Sequence, residues 1–318
     1  MLEVKNMRKV KPLNDFIFKK LFGEKGNEDI LLSFLNAVLK RTCAEPIEEV
    51  CIIENKELTK ELIEDKTGII DVRARTAKGE EIDIEVQLTN QGNMEKRTIF
   101  YLSKLYISGI KQGEDYAKLP RVITINLLDF EVLGTKGYHS SFHFWEDKEK
   151  DYMLTDVAEI HFLEYPKFRR MAEKNYKDNA IERWLAFLEK DISEDTLREL
   201  VAMEPAIKKA ESKLEHLSSD EETMSIYYAR EKSLHDQANM VNSAEQRGRM
   251  QGIEQGRLEG RKEGRKEGRR EGMKEGIKQV AISLLDILDD NTIAEKTGLT
   301  IAEVRLLRNN HLQDKECY

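Results

Sequence analysis

From Ile82 to Leu88 apolar and polar side chains alternate without a break, with Ile82, Ile84, Val86 and Leu88 interleaved by Asp83, Glu85 and Gln87. Successive side chains of a strand point to opposite faces, so the pattern predicts a strand with one apolar and one polar face. A turn at Lys78-Gly79 and a second run with strand character from Gly68 onward predict a β-hairpin. Helical spacing governs other stretches. Asp15–Gly23 predicts a short helix ended by glycine, Ile30–Leu39 a strongly apolar second helix, and Asn93–Lys111 a longer one. Ile99, Leu102, Leu105 and Ile110 are the expected core stripe of that longer helix. Arg121–Leu128 is a nearly continuous apolar run, as in a strand buried on both faces. Further strands are expected at Val50–Ile53, Phe142–Trp145 and Glu159–Tyr165. The order helix, three strands, helix, strand describes a compact α/β core with the hairpin at its centre.

Beyond Glu182 the pattern is helical. Trp184, Leu185 and Leu188 mark one amphipathic helix, Leu197, Leu200 and Val201 another, and Met224, Tyr227, Tyr228 and Leu234 anchor the polar stretch 220–245. Glycines then fall at 248, 252, 256, 260, 264, 268, 272 and 276, a strict period of four built on Glu-Gly-Arg-Lys. Each glycine costs a helix roughly 1 kcal/mol relative to alanine, and neighbouring Glu–Arg/Lys pairs return a few tenths. The segment reads as a solvated charged linker, or alternatively as a helix that self-associates or tracks nucleic acid. After it, Gln279–Leu288 predicts a short helix, and Asn291–Leu307 a helix, a Thr-Gly-Leu turn and a helix capped by Thr300 and Glu303, resembling a helix-turn-helix. The expected domains are 1–180, an α/β core; 181–245, a helical subdomain; 246–278, the glycine-repeat linker; and 279–318, a small helical element.

The 318 residues are 40% hydrophobic and 35% charged, which fits a soluble main domain with appendages. No run approaches membrane-spanning length and the first residues lack a signal-peptide pattern, so a reducing cytoplasm without membrane attachment is expected. Cys43, Cys51 and Cys317 suggest neither a disulfide framework nor a zinc site, and the pair His139/His143 reads as structural. Net charge is −8, yet Arg247–Lys278 holds 11 basic and 6 acidic residues, a local +5 against −13 elsewhere. An acidic body can still bind DNA through local basic grooves and a metal, but bulk electrostatic attraction would be weak.

Glu85 shares the polar face of its strand with Asp83 and Gln87, and the hairpin can bring Asp71 of the preceding strand beside it. Two carboxylates on adjacent strands form a hard-oxygen site suited to Mg²⁺ or Mn²⁺. The alternative is an amphipathic hairpin whose polar face is merely wet. Arg97, Tyr101 and Lys104 share one face of the 93–111 helix, and Asp15 and Lys19 one face of the first.

Several segments together resemble one family: P-L-N-D-F-I-F-K-K-L-F-G at 12–23, L-L-S-F-L-N at 31–36, E-D-K-T-G-I-I-D-V-R-A at 64–74, I-D-I-E-V-Q at 82–87 and K-R-T-I-F-Y-L-S-K-L-Y at 96–106. With Asp71 and Glu85-x-Gln87, the chain resembles the PD-(D/E)xK nuclease superfamily and, more closely, its Rpn family of recombination-promoting nucleases, often labelled transposases. The resemblance implies an αβββαβ core and a divalent-metal-dependent DNA endonuclease with little sequence preference, linked to recombination or mobile elements. It implies Asp71, Glu85 and the backbone carbonyl of Val86 as ligands of Mg²⁺, or of Mn²⁺ or Ca²⁺. The superfamily's usual lysine is replaced by Gln87, which can orient a water but carries no charge. A nearby cation is then wanted: Lys66 precedes the Asp71 strand, and Arg97 can clamp a phosphate bidentately if its helix face points at the hairpin. Asp15 sits where the superfamily often supplies a further acid, for a second metal or a metal-bound water; the alternative is an N-cap with a local ion pair. Asp83 is expected to be peripheral. Two other classes compete: a catalytically weak DNA-binding protein that kept the fold, and an interaction module that forms homo-oligomers through the glycine repeat.

Overall fold

Asn14 opens the first helix by accepting hydrogen bonds from the backbone N–H of Phe16 (3.1 Å) and Ile17 (3.4 Å), which satisfies donors that a helix start leaves free. That helix, α1 (Asp15–Phe22), belongs to a computed structural model that describes residues 10–53, 72–149 and 151–316. The chain falls into two compact units, Met1–Ala238 and Asn239–Tyr318. Among the described residues no helix is long and apolar enough to cross a membrane.

The first unit is built on one six-stranded sheet. α1 and α2 (Glu28–Leu39) precede β1 (Val50–Ile52), β2 (Val72–Thr76) and β3 (Glu81–Gln87). Then come α3 (Met94–Ser108), β4 (Val122–Leu128), β5 (His139–Trp145) and β6 (Met153–Glu164). The strand order is β1-β2-β3-β4-β6-β5, so β3 and β4 are central. β2 and β3 form the expected antiparallel hairpin, with Val72 opposite Ile84 and Arg73 opposite Asp83. Its turn is closed by Gly79 at φ 86°, a left-handed conformation that favours glycine. β3 runs parallel to β4, pairing Asp83 with Thr124 and Glu85 with Asn126, and β4 runs parallel to β6.

This register sorts the two faces of the sheet. Ile82, Ile84, Val86, Ile123, Ile125 and Leu127 bury one face in a cluster with Ile17, Phe18, Phe22 and Phe34 of α1 and α2. The helices α4 (Tyr165–Arg169), α5 (Ala180–Leu188), α6 (Glu194–Met203) and α7 (Pro205–Ser219) follow. Trp184 of α5 joins the same cluster, 5.6 Å from the Phe22 ring and 5.9 Å from the Phe34 ring, and donates its indole N–H to Ser33 Oγ at 3.2 Å. The helical stretch after residue 180 therefore shares the core of the sheet.

The opposite face is covered by α3. Tyr101, Leu102 and Leu105 pack on Val122 and Ala158, and Met94 packs on Leu128 and Phe162. Ile99, expected in that stripe, is 55% exposed. The buried face instead follows Met94, Thr98, Tyr101, Leu102 and Leu105, and Ile99 lies one residue past Thr98, about 100° around the helix.

α8 spans Glu221–Leu284 as one helix, so the glycine-repeat stretch is helical throughout. Three of every four positions there are Arg, Lys, Glu, Gln, Met, Leu or Ile, mostly strong helix formers that offset the glycines. In the second unit α9 (Asp290–Thr297) ends at Gly298, φ 76°, before α10 (Ile301–Glu316). The capping box at Thr300 and Glu303 forms, with Thr300 N–H donating to Glu303 Oε2 at 2.8 Å and Glu303 N–H to Thr300 Oγ1 at 3.3 Å. Ala281, Leu285, Ile293 and Val304 make this unit's core. Arg308 donates to Asp290 Oδ1 at 2.7 Å and to the Leu288 carbonyl at 2.9 Å, so it serves that fold internally.

Candidate active site

The polar parity of β3 faces α3. Glu81 is neutralised by Arg73, whose Nε and Nη2 lie 3.1 Å and 3.0 Å from Oε2, and by Arg75 Nε at 2.7 Å from Oε1. Asp83 is buried between its register neighbours Arg73 and Thr124. Glu85 is 2% exposed and pairs in register with Asn126. Asn126 is fixed in turn: its Oδ1 accepts from Thr98 Oγ1 at 3.1 Å, and its Nδ2 donates to the His161 carbonyl at 3.0 Å.

Glu85 differs from Glu81 and Asn126 in its bonding. Neither carboxylate oxygen has a hydrogen-bond partner among the described residues, and neither does Arg97 Nε. The two side chains approach only to 3.4 Å, Nε to Oε2. The Arg97 guanidinium also lies over the Tyr101 ring, 5.4 Å from its centroid, and Tyr101 is 1% exposed. The face of α3 that carries Arg97 thus points at β3 of the hairpin. Burial pushes the Glu85 carboxyl above the ordinary range for a glutamate, and Arg97 only partly pulls it back. A buried carboxylate without hydrogen bonds among the described residues is unusual in a folded interior, where buried polar groups are paired. It marks a functional-site candidate.

The matching family model, PD-(D/E)XK nuclease family transposase, covers residues 12–244. The chain belongs to this family. Its sheet and flanking helices are consistent with the PD-(D/E)XK fold, and the family assigns it a nuclease- or transposase-related function. No curated protein and no solved structure matches it. In this PD-(D/E)XK chain Asp71 and Lys66 lie outside the described residues. Among the described residues no group of three or more His, Cys, Asp or Glu side chains converges as a metal-ligand set. Glu85 nonetheless suits a hard divalent cation, because its two oxygens are buried and take no hydrogen bond there. Gln87 ends β3, half-buried, opposite Leu128, and Val86 lies opposite Leu127.

Asp15 is engaged elsewhere. Arg230 of α8 grips its carboxylate, with Nε 2.9 Å from Oδ1 and 2.8 Å from Oδ2 and a further contact from Nη2. Next to it Glu231 binds Lys11 Nζ and accepts from Asn14 Nδ2 at 2.9 Å, and Tyr227 Oη accepts from the Lys11 backbone N–H at 3.3 Å. The N-cap is Asn14, not Asp15, and Lys104 lies over the Phe100 ring at 4.8 Å.

A second polar cluster, read from sequence only as the structural pair His139/His143, occupies the other face of the sheet. His161 bridges His139 (2.8 Å) and Glu159 (2.6 Å), and Arg121 binds Glu159 and Glu80, the latter at 3.0 Å. Burial lowers His139 to about 3, and hydrogen bonds from His161 and Thr42 with the Arg121 charge outweigh burial to bring Glu159 to about 2. The sequence signal was Glu159-x-His161, two same-face polar residues in an apolar strand.

Proposed function

We propose that this chain is a divalent-metal-dependent DNA endonuclease with little sequence preference, acting in the cytoplasm on recombining or mobile DNA. The observation that carries the reading is Glu85, buried at 2% exposure with both oxygens lacking hydrogen bonds among the described residues. Asp71, Glu85 and the Val86 carbonyl would hold Mg²⁺, Mn²⁺ or Ca²⁺. A bound divalent cation supplies activation of the attacking water and charge to offset that of the transition state. Gln87 orients the water through its amide oxygen. Arg97 contributes the positive charge that Gln87 lacks, its planar fork matching a phosphate. Asp15 acts as an auxiliary acid when released from Arg230.

The glycine repeat supports a further part of the reading. At each glycine from 248 to 276 an added Cβ would meet open space. That leaves a surface on which a second copy can pack closely, so homo-oligomerisation through α8 accompanies DNA binding. A catalytically weak DNA-binding protein is the competing account, favoured by the uncharged Gln87. Incubation of supercoiled plasmid with Mg²⁺ or EDTA separates them. Nicking in Mg²⁺ alone, lost in Asp71→Ala, is the expected result; nicking that survives EDTA overturns the metal-dependent reading.

A further inference from the structure

The geometry of Glu85 and Arg97 fits neither a structural ion pair nor a free arginine. The same sheet face contains a structural pair for comparison, Arg73 and Glu81, joined by a hydrogen bond from Nε at 3.1 Å and an ion-pair contact from Nη2 at 3.0 Å. A buried pair is normally held this way, because charges taken from water need both Coulomb attraction and satisfied lone pairs. At Glu85 the approach is 3.4 Å, and Oε1, Oε2 and Arg97 Nε are all without hydrogen bonds among the described residues. The two side chains are in ion-pair contact, but at a length beyond that of Arg73 and Glu81. Arg97 has a second anchor that does not involve Glu85: its guanidinium lies over Tyr101, a ring fixed by packing against Val122 and Ala158. It is also the more exposed partner, 17% against 2% for the glutamate.

We propose that Arg97 is a place-holding cation: it compensates Glu85 while the carboxylate carries no metal, leaves it when a divalent cation binds, and then turns its fork to the scissile phosphate. This rests on the metal-dependent nuclease reading above. A guanidinium against Oε2 and a divalent cation on the same carboxylate repel each other strongly, so one excludes the other. The Tyr101 ring keeps the released guanidinium beside the site instead of letting it drift into solvent. Phosphate clamping is thereby made conditional on metal binding, and the charge absent at Gln87 arrives only with the metal in place. Arg97 is in this account a positioning residue for Glu85 before it touches substrate.

Mn²⁺ titration of the full chain without DNA, by calorimetry and by the electron paramagnetic signal of free Mn²⁺, tests the exchange. Arg97→Gln removes the competitor, and its Mn²⁺ affinity should rise on the order of three- to tenfold, as for loss of one partly buried charge. Equal or weaker binding by Arg97→Gln, with normal binding by wild type, overturns the exchange and leaves the metal site standing. No Mn²⁺ binding by wild type overturns the nuclease reading and the exchange with it. Should Arg97→Gln fail to fold, the wild-type protein still decides. The Arg97 Nε–Hε resonance should shift when Mg²⁺ is added, and not in Glu85→Gln; a resonance that Mg²⁺ leaves unmoved overturns the proposal.

Discussion

Replacing Glu85 by Gln should make the metal-free protein more stable at neutral pH, the opposite of what removing a buried ion-pair partner usually does. The carboxylate is 2% exposed and without hydrogen bonds among the described residues. Burying such an ion costs several kcal/mol, and a guanidinium near 3.4 Å returns roughly 4–5 kcal/mol at an effective dielectric near 20. The balance is unfavourable, since burial wins over Arg97 in raising the carboxyl pKa above 4.5. Below pH 4.5 folded and unfolded chains both hold the proton. Above it the unfolded chain releases its proton first, so folded stability falls as pH rises until the raised folded pKa is passed. Glutamine keeps the shape and removes this cost, while Arg97 stays over the Tyr101 ring. The expected gain is about 1–2 kcal/mol at pH 8, or about 2–8 °C in Tm, and close to nothing at pH 4. Differential scanning calorimetry in EDTA from pH 4 to 8 reads it. A Glu85→Gln protein melting several degrees below wild type at pH 8 would refute the reasoning and make Glu85 a structural member of its pair.

Other expectations follow from the same geometry. Gln87→Lys returns the superfamily's cation and should give equal or faster plasmid nicking, whereas Gln87→Leu, unable to orient water, should be far slower; equal rates for all three would place residue 87 outside the chemistry. Truncation after Glu245 should leave the core folded and its metal-dependent chemistry intact at high enzyme concentration, with DNA affinity, self-association or both reduced. If the tail tracks phosphates, the salt dependence of binding should also flatten. Unchanged affinity together with an unchanged sedimentation profile would contradict that prediction. The His139 pKa, lowered from 6.5 to about 3, means that its stabilising effect is complete above pH 6.5 and lost as pH falls toward 3. His139→Gln should therefore remove up to one proton, about 1.4 kcal/mol per pH unit, from the stability slope in that range, and an unaltered slope would show that another group governs it.

The hairpin, the apolar β4 strand and the α3 helix were legible because their periodicities are local: alternation at Ile82–Leu88, continuity at Arg121–Leu128, and helical spacing between Met94 and Leu105. From these, Glu85 could be singled out and Arg97 placed on a suspect face. Their pairing could not be read, because it depends on how α3 crosses the sheet and on the parallel register of β3 with β4. The grip of Arg230 on Asp15 joins residues 215 apart and leaves no local signature. The Glu159–His161–His139 cluster was hidden for a similar reason: β5 and β6 supply its members, and Arg121 reaches it from β4's edge. Ile99 shows the converse error, where a helix has more apolar positions than its buried face can use.

The most direct test of the account is the rate of supercoiled-plasmid nicking in Mg²⁺ under single-turnover conditions, for wild type and Glu85→Ala. Wild type should nick only with the metal, and Glu85→Ala, still folded by circular dichroism, should be slower by about 10²-fold or more, as for loss of a principal electrostatic element. Full nicking activity in Glu85→Ala would contradict the account at its centre.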